Sequence, residues 1–178
     1  MFNIQRFYPD IYVDKVTDIT IDYLKENNIY GIILDVDNTL IDFNKNYVEG
    51  LEKWHKDITE NGIKTIILSN TFNRSKIKKI ADKLNIEYIY FANKPCRLGF
   101  YIAKKKLKLE NRNIAVIGDQ IFTDILGANK VNMHSILVKP MIENNDYYVT
   151  RIKRPLEKKI LKKYLEEIKN NKIGERND

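Results

Sequence analysis

The chain has 178 residues, 43% of them hydrophobic, enough to bury a core of ordinary domain size and far from the composition of a disordered or fibrous chain. A single cysteine, Cys96, excludes an internal disulfide and a cysteine-based metal cluster, as suits a reducing compartment. The formal net charge of +7 admits nucleic acid or an anionic membrane as partner. No stretch approaches the ~18 apolar residues of a membrane span, and the N-terminus carries no leader pattern. The expectation is a cytoplasmic protein, or one held peripherally at the inner face of a membrane.

In chain order, a helix is predicted near 18–26. Apolar, β-branched or aromatic runs follow at 30–34 (YGIIL), 65–68 (TIIL), 88–91 (YIYF), 114–117 (IAVI) and 135–138 (SILV). They do not alternate with polar residues, as expected of parallel strands covered on both faces. Helical patterns fall between them near 47–60, 73–84, 98–108 and 121–130, and a closing helix is predicted near 155–170. Strand–helix alternation of this kind predicts an α/β fold with a doubly wound, parallel, five-stranded sheet. No repeat, flexible linker or low-complexity segment divides the chain, so one domain spanning 1–178 is expected, with its core at about 28–140.

Ligands of such sheets bind beyond the carboxyl ends of the strands. The polar residues there form a coherent set: Asp35, Asp37 and Thr39 after the first run, Ser69 and Asn70 after the second, Lys94 beyond the third, and Gly118, Asp119 and then Asp124 after the fourth. Asp35 can attack phosphorus as a nucleophile. Asp37, two residues on, can protonate a leaving oxygen and then activate water. Two anions beside an anionic substrate call for a hard cation, and Mg²⁺ takes oxygen ligands of this kind. Asp119 adds a carboxylate from another strand end. Asp124 can support the metal or orient Lys94. Ser69 and Asn70 offer donors to phosphate oxygens, and Lys94 a positive charge. Taken singly these are turn and capping residues; the joint order at successive strand ends carries the signal.

Residues 35–39 (DVDNT), Ser69, Lys94 and Gly118-Asp119 with Asp124 resemble the four motifs of haloacid dehalogenase (HAD) phosphatases, in a form similar to subfamily IIIA. The resemblance implies a HAD-like Rossmannoid core, Asp35 as the phosphorylated residue, Asp37 as acid and base, and Mg²⁺ held by Asp35, the Asp37 carbonyl and Asp119. It also implies hydrolysis of a phosphomonoester, because HAD phosphatases carry the second aspartate. The 32 residues from Asp37 to Ser69 and the 25 from Ser69 to Lys94 leave no room for a cap domain, so the site is expected to be open to large substrates. Pro9, Asp10, Tyr12 and Val13, with the layout around Asp35, resemble the YqeG-type family, which includes phosphatidylglycerophosphate phosphatases. That resemblance makes this phospholipid a candidate substrate. A nucleotide, a phosphorylated nucleic-acid end and a phosphoprotein are the alternatives, as is a catalytically silent binding module.

Residues 151–172 carry nine Lys/Arg against three Asp/Glu, a local net of +6. Leu156, Ile160, Tyr164 and Ile168 recur every four residues, with Leu161 and Leu165 beside them, which predicts an amphipathic C-terminal helix. Its apolar face can pack on the core, and its basic face can meet anionic lipid, nucleic acid or a protein. Arg97 is a candidate for a second phosphate or a headgroup. His55, His134, Trp54 and Cys96 are read as packing or surface residues, and Asp42 as a surface turn residue.

Overall fold

The computed structural model describes residues 3–142 and 148–174. Six parallel strands form one sheet: β1 (Ile11–Val13), β2 (Gly31–Leu34), β3 (Lys64–Leu68), β4 (Glu87–Ile89), β5 (Ile114–Gly118) and β6 (His134–Val138), in the order β1-β6-β5-β2-β3-β4. The expected five runs are all strands. The sixth, β1, is the correction. Three half-buried residues are too few for a periodicity to register, and β1 owes its conformation to pairing with β6, Tyr12 opposite Leu137.

The helices are α1 (Ile21–Glu26), α2 (Leu51–Glu60), α3 (Arg74–Leu84), α4 (Arg97–Leu107), α5 (Leu126–Lys130) and α6 (Tyr148–Gly174). Thr20 caps α1 and Asn73 caps α3, each accepting a first-turn backbone N–H at 3.1 and 3.0 Å. Helix α2 starts four residues later than expected, because Tyr47 is held in an antiparallel bridge to Ile41 and Gly50 turns the chain at φ 75°. The stretch expected as one helix at 121–130 opens with a π-helical turn, Ile121–Ile125, before α5. Helix α6 begins before the expected 155, with Pro155 inside it.

Two apolar layers cover the sheet, which is why the strands read as unbroken hydrophobic runs. Ile32 and Leu34 of β2 face the layer that includes Leu24, Trp54, Ile58 and Ile77, whereas Ile33 faces Phe100, Ala103 and Ala128. Helix α6 joins through a third cluster, Ile121, Ile125, Leu137 and Ile160. Its buried stripe is displaced from the predicted one. Ile160 and Tyr164 are buried and Leu161 is partly so, but Leu156 and Leu165 are exposed and Glu157 takes the inward position. Residues 156 and 157 lie one turn before Ile160, so either could face inward. Glu157 does so because its carboxylate accepts the Phe122 N–H at 3.0 Å and an Arg154 N–H at 3.1 Å.

The chain builds β3 and β4 on one side of β2, then crosses over to build β5 and β6 on the other. The switch point therefore falls between β2 and β5. Leu34 stands opposite Ile67 on one side and Ile117 on the other, so β2, β3 and β5 release their following residues at one level.

Candidate active site

Asp35 leaves β2 with its N–H still bonded to the Ile117 carbonyl at 2.9 Å. The chain then folds tightly over Val36, whose carbonyl accepts the N–H groups of Thr39, Leu40 and Ile41, while Asn38 takes a left-handed φ of 61°. This turn buries Asp35 and Thr39 and leaves Asp37 half-exposed at the mouth. Asp42 is a correction: it is buried, and its carboxylate accepts the Asn46 backbone N–H at 2.8 Å.

Lys94 is the centre of charge. Its Nζ is buried 2.5 Å from Asp35 Oδ1 and 2.6 Å from Asp124 Oδ1. Asn70 clamps the Lys94 backbone, accepting its N–H at 2.6 Å and donating to its carbonyl at 3.0 Å. The Asn70 side chain is thus spent on positioning Lys94, rather than offered to a substrate. Burial works against the Lys94 ammonium, but the Asp124 and Asp35 carboxylates outweigh it and raise its pKa. Burial pushes the Asp35 carboxyl up to about 7, with Lys94 pulling it down and Asp124 adding repulsion.

Asp119 is buried on the other side. Arg154 of α6 donates to its Oδ2 and, at 2.8 Å, to its backbone carbonyl. Burial raises the Asp119 carboxyl well above the ordinary range, opposed by Arg154 and reinforced by Asp35 and Asp124. Asp119 Oδ1 is buried with no hydrogen-bond partner. Asp124 is satisfied: Oδ1 meets Lys94, and Oδ2 accepts from the Gln120 N–H at 3.1 Å and Thr123 Oγ1 at 3.2 Å. It fits against β5 only because residue 118 is glycine. A Cβ there would lie 2.4 Å from the Asp124 carboxyl carbon.

Asp35, Asp119 and Asp124 bring oxygens within 4.8 Å of one another. The two with acceptor capacity left are Asp119, through Oδ1, and Asp35, whose Oδ2 has only a long 3.5 Å contact with Thr39. Three carboxylates against Lys94 and Arg154 leave one excess negative charge when all are ionised. An orphaned buried carboxylate oxygen beside that excess fits a hard divalent cation.

A cleft of about 560 Å³ opens over Asp35, Asp37, Ser69, Asn70 and Lys94, with Phe72 and Lys153 at its rim. Ser69 is buried with Oγ accepting the Thr71 N–H at 3.2 Å, so its hydroxyl proton is available to a ligand. Arg97 stands apart, exposed at the start of α4 and outside the cleft lining. Sequence reading missed three participants. Lys76 of α3 pairs with Asp37, Arg154 binds Asp119, and Lys153 lines the rim. Arg154 sits in a basic run in which Lys153, Lys158 and Lys159 are exposed, and only the neighbouring buried Glu157 hints at an inward turn. The histidines lie elsewhere: His55 bonds Thr65 at 2.8 Å, and His134 bonds Tyr23 at 2.6 Å.

A parallel sheet whose switch point gathers a strand-end Asp-x-Asp, a buried lysine and a Gly-Asp from a neighbouring strand defines a phosphatase of the HAD superfamily. Residues 1–143 match the family described as mitochondrial PGP phosphatase, and the chain belongs to that family. It is 40% identical over 156 residues to "Probable phosphatase YqeG" of Bacillus subtilis (strain 168), covering 87% of this chain and 90% of that one. The fold is shared with an uncharacterized protein from Listeria monocytogenes serotype 4b (TM-score 0.54, 18% identity, 76% of this chain and 99% of that one). It is also shared with one from Corynebacterium glutamicum (TM-score 0.52, 20% identity, 62% and 85%).

Proposed function

We propose that the protein is a Mg²⁺-dependent phosphomonoester hydrolase working through an aspartyl phosphate, with phosphatidylglycerophosphate as its substrate. The observation that carries this reading is the buried Lys94 held between Asp35 and Asp124, beside Asp119, whose buried Oδ1 has no hydrogen-bond partner among the described residues. The family description and the open mouth of the cleft, where Asp37 is half-exposed, support the lipid substrate.

Asp35 and Asp119 would hold the metal, with the Asp37 carbonyl as a third ligand. When bound, Mg²⁺ supplies charge neutralisation for the phosphoryl oxygens. Lys94 and the Ser69 hydroxyl bind the non-bridging oxygens and hold phosphorus against Asp35. The Asp35 carboxylate forms a bond to phosphorus as the ester P–O bond breaks, and Asp37 gives its proton to the departing alkoxide. In the second half Asp37 takes a proton from water, whose oxygen bonds phosphorus as the Asp35 acyl phosphate opens. Lys76 pairs with Asp37 and holds its carboxylate at the mouth of the cleft. Asp37 must acquire a proton before the first half.

Purified protein should release inorganic phosphate from phosphatidylglycerophosphate in Mg²⁺ and none in EDTA, and Asp35→Asn should be inactive in both. Release from p-nitrophenyl phosphate alone would overturn the lipid substrate and spare the reaction.

A further inference from the structure

The described phenylalanines divide sharply. Phe100 is buried, and Phe7 and Phe122 stack edge-to-face at 5.5 Å. The remaining three, Phe43, Phe72 and Phe91, are 55%, 79% and 56% exposed. Each of these stands on a loop beyond the carboxyl end of its strand, after β2, β3 and β4 in turn, the end where the catalytic cleft opens. Phe72 lines the cleft, and its ring lies 4.6 Å from that of Phe91. Phe91 has φ 52°, a region that bulky side chains rarely adopt, and it is not buried in return. The stacked Phe72–Phe91 pair thus presents apolar surface to solvent on a strained backbone.

The charge around these rings is mainly positive, and Asp37 at the cleft mouth is paired with Lys76. Segments 40–47, 70–76 and 90–98 contain one acidic residue, Asp42, which is buried and bonded to Asn46. The same loops and the start of α4 expose Lys45, Arg74 and Arg97, and Lys153 of α6 completes the rim. Aromatic tips on separate loops, set among cations, suit insertion between anionic headgroups better than a fitted protein interface, which would need a continuous groove.

We infer that this rim is a membrane-docking surface: Phe43, Phe72 and Phe91 enter an anionic bilayer and hold the cleft face-down on phosphate headgroups. The inference rests on the lipid-phosphate reading above. It assigns the contact to the catalytic loops and not to the basic outer face of α6.

Flotation with vesicles of phosphatidylcholine, with and without phosphatidylglycerol, tests it. The wild-type chain should float with the anionic vesicles and much less with the neutral ones. Phe43→Ser with Phe91→Asn should weaken partitioning by roughly tenfold for each ring removed, while hydrolysis of p-nitrophenyl phosphate stays unchanged. Asparagine tolerates the left-handed backbone, so the melting temperature should hold or rise. A variant that floats as well as wild type, or a wild type that ignores anionic vesicles, overturns the surface. Should the double variant fail to fold, Lys45→Glu with Arg74→Glu decides: loss of the anionic preference supports the surface and its retention overturns it. Protein that floats but releases no phosphate from phosphatidylglycerophosphate in the same vesicles overturns the substrate and leaves the surface standing.

Discussion

The two walls of the cleft are built on opposite terms. The wall formed by β5, the π-helical turn and α6 is dry. Asp119, Asp124 and Glu157 are buried there, and Arg154 is held by bonds to Asp119 and Glu157. The wall formed by α3 and the outer parts of the loops after β2, β3 and β4 is wet, with Asp37 and Lys76 half-exposed and Phe43, Phe72 and Phe91 largely exposed. The first stores uncompensated charge where water cannot relax it. The second presents groups that must exchange partners during turnover. One site needs both, since a cation requires a rigid anionic seat and a bulky substrate requires an accessible approach.

The sharpest way to break the buried charge that the dry wall shares with Asp35 is Asp35→Asn. Turnover should fall by roughly 10⁴-fold or more, as for loss of a nucleophile. Stability should move the other way. Asp35 has its pKa raised in the folded chain to about 7, against an unfolded value near 3.9. The folded form therefore holds a proton that the unfolded form has released, and metal-free stability is lost as pH rises from about 4 through 7. In EDTA at pH 8 the Asn variant should melt several degrees above wild type, and at pH 4 the two should coincide.

Arg154→Met attacks the same wall from α6. It leaves the buried Asp119 without its guanidinium, at a cost of about 3–5 kcal/mol, so the melting temperature in EDTA at pH 8 should drop by roughly 10 °C. The drop should be smaller at pH 5 than at pH 8, because burial raises the Asp119 carboxyl and its neutral form gains weight as pH falls, and Mg²⁺ at pH 8 should recover most of it. An equal drop at both pH values would show that Arg154 serves packing alone.

On the proposed ligand set, Mg²⁺ would have to displace the proton that Asp35 holds. The melting shift produced by Mg²⁺ should therefore be large at pH 8 and fall steadily below about pH 7. A shift independent of pH from 5 to 8 would remove Asp35 from the ligand set.

The smallest effect belongs to the wet wall. Lys76→Ala breaks a half-exposed pair with Asp37 and should cost less than about 1 kcal/mol of stability. It should lower kcat by about tenfold and leave KM nearly unchanged. Unchanged kcat would show that the pair has no part in holding Asp37.

The sequence was most legible where residues act through their type and position on the chain. Apolar runs located five strands, and the polar residues after them located Asp35, Asp37, Ser69, Lys94, Asp119 and Asp124. It was opaque where role depends on a partner distant in the chain. Arg154 reads as one more solvated cation until α6 docks 35 residues beyond Asp119. The clamp of the Asn70 side chain on the Lys94 backbone likewise becomes visible only when the loop after β4 is brought to it. Strand β1 escaped notice for the same reason, its conformation residing in β6. Leu156 was favoured over Glu157 because an apolar face was sought, and a buried carboxylate that satisfies a backbone N–H breaks that rule locally.

Gly118 has a consequence for how such a chain can change over generations. It carries no charge, yet a single added carbon would displace Asp124 and disturb the Lys94 that joins it to Asp35. Every missense change there is a functional lesion transmitted through two neighbours. A saturation-mutagenesis survey would find this position as intolerant as the aspartates, with no alanine available as a gentle intermediate. The lineage is confined there to the smallest amino acid for as long as selection acts on catalysis.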